Sequence, residues 1–127
     1  MWREIVTDGA PRPGGPYSQA IAAGDTLYSS GQLGFDPQTG GLPEEMYAET
    51  ERLLVNLDAV LRAGGLARGD VVKTTVFISN LDDYQAMDDA YRAFFGEPFP
   101  TRSTVMVAGL LRGARVEIEA VAARRPS

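Results

Sequence analysis

One segment constrains the fold more than any other. The stretch "DVVKTTVFIS" (70–79) runs directly into "NLDDYQAMDDAYRAFF" (80–95). The first part is crowded with β-branched residues, whose stiff side chains suit a pleated strand. The second part changes period. Tyr84, Met87, Tyr91 and Phe94 recur at helical spacing, an apolar stripe that needs something to pack on. Asn80 or Asp82 can cap this helix, and Gly96 and Pro98 stop it. A strand handing over to an amphipathic helix points to helix layered on sheet.

The rest of the chain extends that layer. Met46, Leu53, Leu54, Leu57, Val60 and Leu61 define one face of an earlier helix, ended by Gly64-Gly65. Upstream, "REIV" is a short strand. "YSQAIAAG" and "TLYSSGQL" flank a hairpin turn at Gly24-Asp25. "APRPGGP" (10–16) is a stiff connector, and "GFDPQTGGLP" (34–43) is a loop. Two strands, "STVMVAG" and "ARVEIEAVA", close the chain. The order is β-β-β-α-β-α-β-β. It predicts an α+β fold over residues 1–127 as a single domain, with one mostly antiparallel sheet and two helices on one face. The uncovered face of so small a sheet is expected to bury itself against a partner subunit.

Composition narrows the chemistry. With 127 residues the chain can bury a real core, and 44% apolar with 23% charged residues is an ordinary globular balance. Cysteine and histidine are both absent. That removes thiolate nucleophiles, most structural zinc sites and the commonest general base. Lys73 is the single lysine, so only it could form a pyridoxal Schiff base. Acid–base work falls to Asp, Glu, Tyr, Ser, Thr or Arg, and neither metal nor cofactor is expected. A net charge of −5 disfavours broad nucleic-acid binding. No apolar run approaches the roughly 18 residues of a membrane span. "MWREIVTDGA" lacks the pattern of a secretory signal, so a cytoplasmic location is expected.

Six residues carry possible chemistry, each with an ordinary alternative. In "VEIEA", Glu117 and Glu119 point away from Val116, Ile118 and Ala120. They form a solvated face, or one of them is a pocket acid or base. Arg102, at the mouth of "RSTVMV", is a surface charge or an anion hook. Asp88 lies four residues after Tyr84 and three before Tyr91, so it leans onto the aromatic side of its helix. It snorkels to solvent or is paired and functional. Tyr17 follows the rigid connector and is held still there, for packing or for a site. Ser30 precedes a glycine at a strand end, where turn chemistry is the plain explanation.

Taken together, "AP…GPYSQA", "SGQ", "VVKTTVFISNLDDY", "YRAFF", "PTRSTV" and "VEIEAVA" occur in order from about Ile5 to Ala123. The chain resembles the RidA/YjgF (L-PSP) family over nearly its whole length. The resemblance implies a chorismate-mutase-like α+β fold. It also implies a homotrimer whose sheets form a central barrel, with sites in the clefts between subunits. The implied activity is hydrolysis of reactive 2-imino or enamino acids, such as 2-aminoacrylate, to 2-keto acids and ammonia. Arg102 would clamp the substrate carboxylate, Glu117 would handle the attacking water, and Tyr17 and Ser30 would line the pocket. Asp88 stands where asparagine is common. A carboxylate there disfavours an anionic substrate unless it pairs with Arg102 or is protonated. Thr104 stands where some members have cysteine, and Leu111 where proline is frequent after leucine.

The implied chemistry suits the residues present. An iminium carbon is already electrophilic, so hydrolysis needs a held carboxylate, a positioned water and a proton shuttle. A nearby arginine would lower the pKa of Glu117 while burial raises it. The expectation is an ionised Glu117 that serves as a base. Two other functions remain open on sequence. One is a non-catalytic module that binds small carboxylates, which would need Arg102 but not Glu117. The other is an endoribonuclease- or chaperone-type role, as described for some members.

Overall fold

The computed structural model describes residues 1–126. Its strands are β1 (Trp2–Ile5), β2 (Ala20–Ala23), β3 (Thr26–Ser29), β4 (Val71–Ile78), β5 (Thr101–Met106) and β6 (Val116–Ala123). Its α-helices are α1 (Met46–Ala63) and α2 (Tyr84–Phe95). The element order is the one read from sequence.

All six strands form one sheet in the order β1-β2-β3-β6-β4-β5. Four of its five pairings are antiparallel. The exception is β4 with β5, which run parallel because α2 carries the chain back across the sheet between them. The last strand, β6, is inserted between β3 and β4, so the C-terminal segment is central and β5 is an edge.

Alternation divides the sheet into two faces. Leu27, Val76, Ile78, Val116, Ile118, Ala120 and Ala122 meet Leu53, Leu54, Leu57, Val60 and Leu61 of α1 and Met87 and Tyr91 of α2 in one buried cluster. The two helices lie against each other on that face. The opposite face carries Tyr28, Phe77, Val105, Val121 and the two glutamates of β6. Trp2, Tyr28 and Val105 are exposed there.

Local details follow the chemistry of the chain. Gly64 caps α1, Gly65 takes the left-handed φ of 80°, and the Leu66 N–H returns to the Leu61 carbonyl at 2.9 Å. The α-helical part of α2 starts later than expected. Leu81–Asp83 form a 3-10 turn whose Asp82 N–H donates to the Asn80 side chain at 2.9 Å. The strand β5 starts earlier than expected, because Thr101 already pairs with Lys73. Arg102 is therefore inside the strand.

One buried ion pair was not foreseen. Glu49 of α1 is fully buried and accepts from the Arg115 backbone N–H at 2.7 Å and the Arg115 Nε–H at 2.6 Å. It ties α1 to the loop that launches β6. Among the described residues, no helix is long and apolar enough to cross a membrane.

Candidate active site

The sheet edge fixes Arg102. It pairs with Thr74, whose hydroxyl lies 2.7 Å from the Tyr91 hydroxyl of α2. This places the Arg102 side chain on the helix-covered face. Its Nη1 donates to Asp88 Oδ1 at 2.8 Å and its Nη2 donates to the Tyr84 hydroxyl at 2.8 Å. The guanidinium carbon sits 4.8 Å from the Tyr91 ring centre. Helical spacing brings these partners together, since Tyr84, Asp88 and Tyr91 fall on one stripe of α2. Asp88 Oδ2 also lies 3.4 Å from Nη2 of Arg92. The side chains of Arg102 and Asp88 are 19% and 17% exposed, so the pair is largely sheltered. Tyr84, Asp88, Tyr91, Arg92, Phe99 and Arg102 line a pocket of about 300 Å³. Burial pushes the Tyr91 hydroxyl pKa up, which keeps that group neutral. Thr104, two residues beyond Arg102, is half-buried on the same face.

The other half of the candidate set lies across the sheet. Glu117 is paired with Phe77, one step out of phase with the buried pair Val116 and Ile78. Its side chain therefore projects on the face away from the helices. It packs against Gly31 so closely that a Cβ there would overlap its carboxylate. Burial, with a smaller contribution from Glu119, holds the Glu117 carboxyl above its ordinary pKa. No cation among the described residues offsets this. The expectation that an arginine would pull it down does not hold within one chain, because Arg102 is on the opposite face with β4 between them.

Irregular backbone seats Glu117. The β3–β6 ladder runs to Tyr28 and Val121, breaks, and resumes at the single bridge of Gln32 with Ile118. In the gap, Ser29 Oγ accepts from the Ala120 N–H at 2.9 Å. Ser30 Oγ donates to the Ser18 carbonyl at 2.6 Å, and the Ser30 N–H donates to the Gln19 carbonyl at 2.9 Å. Those bonds hold the strand end against the segment bearing Tyr17. Gln19 is buried, and its amide donates to the carbonyls of Thr7, Ala10 and Pro11, which fixes the Pro-Gly connector. Tyr17 is half-exposed, and its hydroxyl accepts from the Gly14 N–H at 3.3 Å. Tyr17 and Gly31 line a cavity of about 520 Å³ together with Leu33, Phe35 and Arg112.

The candidates thus form two clusters. Arg102, Asp88 and Thr104 stand at one sheet edge. Tyr17, Ser30 and Glu117 stand around the β3–β6 break. Asp88 does pair with Arg102, the condition set for it on sequence. Three contributors were missed. Gly31 is the seat of Glu117, Tyr84 is the second partner of Arg102, and Phe99 walls the pocket. The signals were present in the "SGQ" glycine and in Tyr84 four residues before Asp88, but both had ordinary explanations.

Residues 7–124 match the family described as Endoribonuclease L-PSP. The chain belongs to that family. An L-PSP relative from Salmonella typhimurium, named 2-iminobutanoate/2-iminopropanoate deaminase, is 43% identical over 98% of this chain and 100% of its own length. A relative of the same name from Dermatophagoides farinae is 45% identical over 94% of each chain. Among solved L-PSP structures, Escherichia coli TdcF with bound serine is 40% identical, with a TM-score of 0.94 over 97% of this chain and 99% of that one. RidA from an Antarctic Psychrobacter is 42% identical, with a TM-score of 0.93 over 96% and 99% of the two chains. The resemblance to the RidA branch and the α+β fold with two helices on one sheet both hold.

Proposed function

We propose that this protein hydrolyses 2-imino and enamino acids to 2-keto acids and ammonia, in clefts built from two copies of the chain. The observation that carries the reading is Arg102. It is a fixed, sheltered guanidinium at a pocket wall, in a chain similar over its whole length to proteins named as imine deaminases. A guanidinium held in this way suits the carboxylate of a 2-imino acid.

The reaction adds water across the C=N bond. Water oxygen bonds to the iminium carbon as a base takes its proton. The carbinolamine then collapses, the C–N bond breaks, and the nitrogen leaves carrying the proton. Glu117 is assigned as the group that takes and returns that proton. Its raised pKa brings it nearer the working pH. Tyr17 and Ser30 are assigned to the pocket wall, and Thr104 to the segment that frames the carboxylate.

Arg102 and Glu117 occupy opposite faces of one sheet, so a working site needs the Arg102 edge of one copy to meet the Glu117 face of another. The exposed Trp2, Tyr28 and Val105 on the uncovered face favour such an assembly, read here as a homotrimer. A cytoplasmic location goes with this reading.

A coupled assay tests it. An amino-acid oxidase generates 2-imino acids from several amino acids, and semicarbazide traps whatever imine survives. The protein is expected to lower trapping, and Arg102→Ala is expected not to. If neither protein alters trapping for any amino acid, the deaminase reading fails. Sedimentation gives the assembly state, and a monomer active at nanomolar concentration would remove the shared cleft.

A further inference from the structure

We infer that Asp88 is a specificity-determining residue that makes the Arg102 pocket select a zwitterion over a simple carboxylate anion. This rests on the reading of Arg102 as the carboxylate clamp.

The argument starts from what Arg102 already holds. One Nη donates to Asp88 at 2.8 Å, the other donates to Tyr84 at 2.8 Å, and the ring of Tyr91 lies 4.8 Å from the guanidinium carbon. The arginine is immobilised, but its charge is largely matched by a carboxylate that is itself only 17% exposed. An arginine has five N–H donors, so hydrogens remain for a ligand. Any carboxylate that binds them comes to rest beside Asp88. Within one chain, the other charged group lining the pocket is Arg92, which is 65% exposed and 3.4 Å from the far oxygen of Asp88, so it screens that repulsion only weakly.

A lone carboxylate therefore meets an attractive guanidinium and a repulsive neighbour. A ligand with a positive nitrogen next to its carboxylate meets neither conflict. Its carboxylate faces Arg102 and its nitrogen faces the free lone pairs of Asp88. The protonated 2-imino acid has this charge pattern, and it is also the electrophilic form of the substrate. The overall step is iminium carboxylate plus water giving 2-keto carboxylate plus ammonium. Hydrolysis removes the cation from the organic product. The 2-keto acid is then left as the anion that Asp88 disfavours, so product release is favoured by the same residue that selects the substrate.

The test compares two ligands of matched carbon skeleton on the intact assembled protein by calorimetry. L-2-aminobutyrate is the zwitterion and 2-ketobutyrate is the anion. The parent is expected to bind the zwitterion more tightly. Asp88→Asn keeps an oxygen acceptor for Arg102, and melting curves check that it folds. This variant is expected to move the ratio of the two dissociation constants by about tenfold toward the keto acid, the scale of one lost charge–charge contact near a sheltered site. Inhibition of imine turnover by 2-ketobutyrate gives an independent reading, and should strengthen in the variant. The assignment is overturned if the parent shows no preference for the zwitterion, or if Asp88→Asn shifts both constants equally or neither. Asp88→Ser repeats the comparison should the first variant not fold. Arg102→Ala separates the failures. If it leaves both affinities intact, the clamp reading falls as well. If it abolishes both while the ratio in Asp88→Asn stays fixed, only the role of Asp88 is lost.

Discussion

The two halves of the candidate site are built on opposite principles. At the sheet edge, Arg102 is charge-matched, hydrogen-bonded twice and stacked on an aromatic ring. Around the β3–β6 break, Glu117 is pressed against a glycine with only another carboxylate acting on it. The first half is finished within one chain, and the second is not. A guanidinium stays charged at any working pH, so what it needs is orientation. A carboxylate that shuttles protons needs an adjustable pKa, and partial burial without a partner supplies it.

The largest expected effect comes from breaking the finished half. Arg102→Ala should lower kcat/KM for 2-imino acids by about 10³-fold, the scale of two lost charge-assisted hydrogen bonds. Arg102→Lys should recover only a small part, because an ammonium cannot reproduce the fork. Full activity in Arg102→Lys would mean that charge alone matters there.

Next comes the unfinished half. Glu117→Gln should lower kcat by about 10²-fold or more while ligand binding survives, as for a lost proton shuttle. The pH dependence sharpens this. Because burial raises the Glu117 pKa, its carboxylate becomes protonated, and useless as a base, at a pH above the ordinary glutamate value of 4.5. Activity should therefore fall as pH drops through a limb lying above 4.5, and Glu117→Gln should lack that limb. A limb at or below the ordinary value would show that the guanidinium brought by the neighbouring copy outweighs burial at Glu117.

A smaller effect tests the seat. Gly31→Ala forces the carboxylate of Glu117 to move, since the new Cβ would occupy its place. Turnover should fall about tenfold, as expected for a displaced catalytic group. The melting temperature should fall modestly, because the overlap runs from the carboxylate to Cγ and the whole half-buried side chain must shift. An unchanged rate would show that Glu117 does not work from this position. The smallest effect is reserved for Arg92. Its contact with Asp88 is long and its side chain is exposed, so Arg92→Ala should change kcat/KM by less than about twofold. A large loss would place Arg92 in the substrate's path.

Much of this was legible in the chain. Strand and helix periods gave the element order, and the apolar stripes named residues found in the core, with Tyr84 and Phe94 only partly buried at its margin. Alternation in "VEIEA" by itself puts Glu117 on the face away from the core. The helix spacing of Tyr84, Asp88 and Tyr91 put Asp88 among aromatics. What was not legible was long-range. Glu49 is an ordinary acidic helix residue until Arg115 arrives from a distant loop to neutralise it. Gly31 is an ordinary turn glycine until Glu117 fills the space a side chain would need.

Local pattern determined by itself which residues fold as strand or helix, which face of each is apolar, and which chemistries are closed to a chain without histidine or cysteine. These follow from side-chain shape, spacing and composition, which act within a few residues. Only the tertiary structure decided that β6 inserts between β3 and β4, that β4 and β5 run parallel, and that Arg102 and Glu117 fall on opposite faces. Those outcomes depend on which strand pairs with which. Pairing joins residues far apart in sequence, and no local period encodes it.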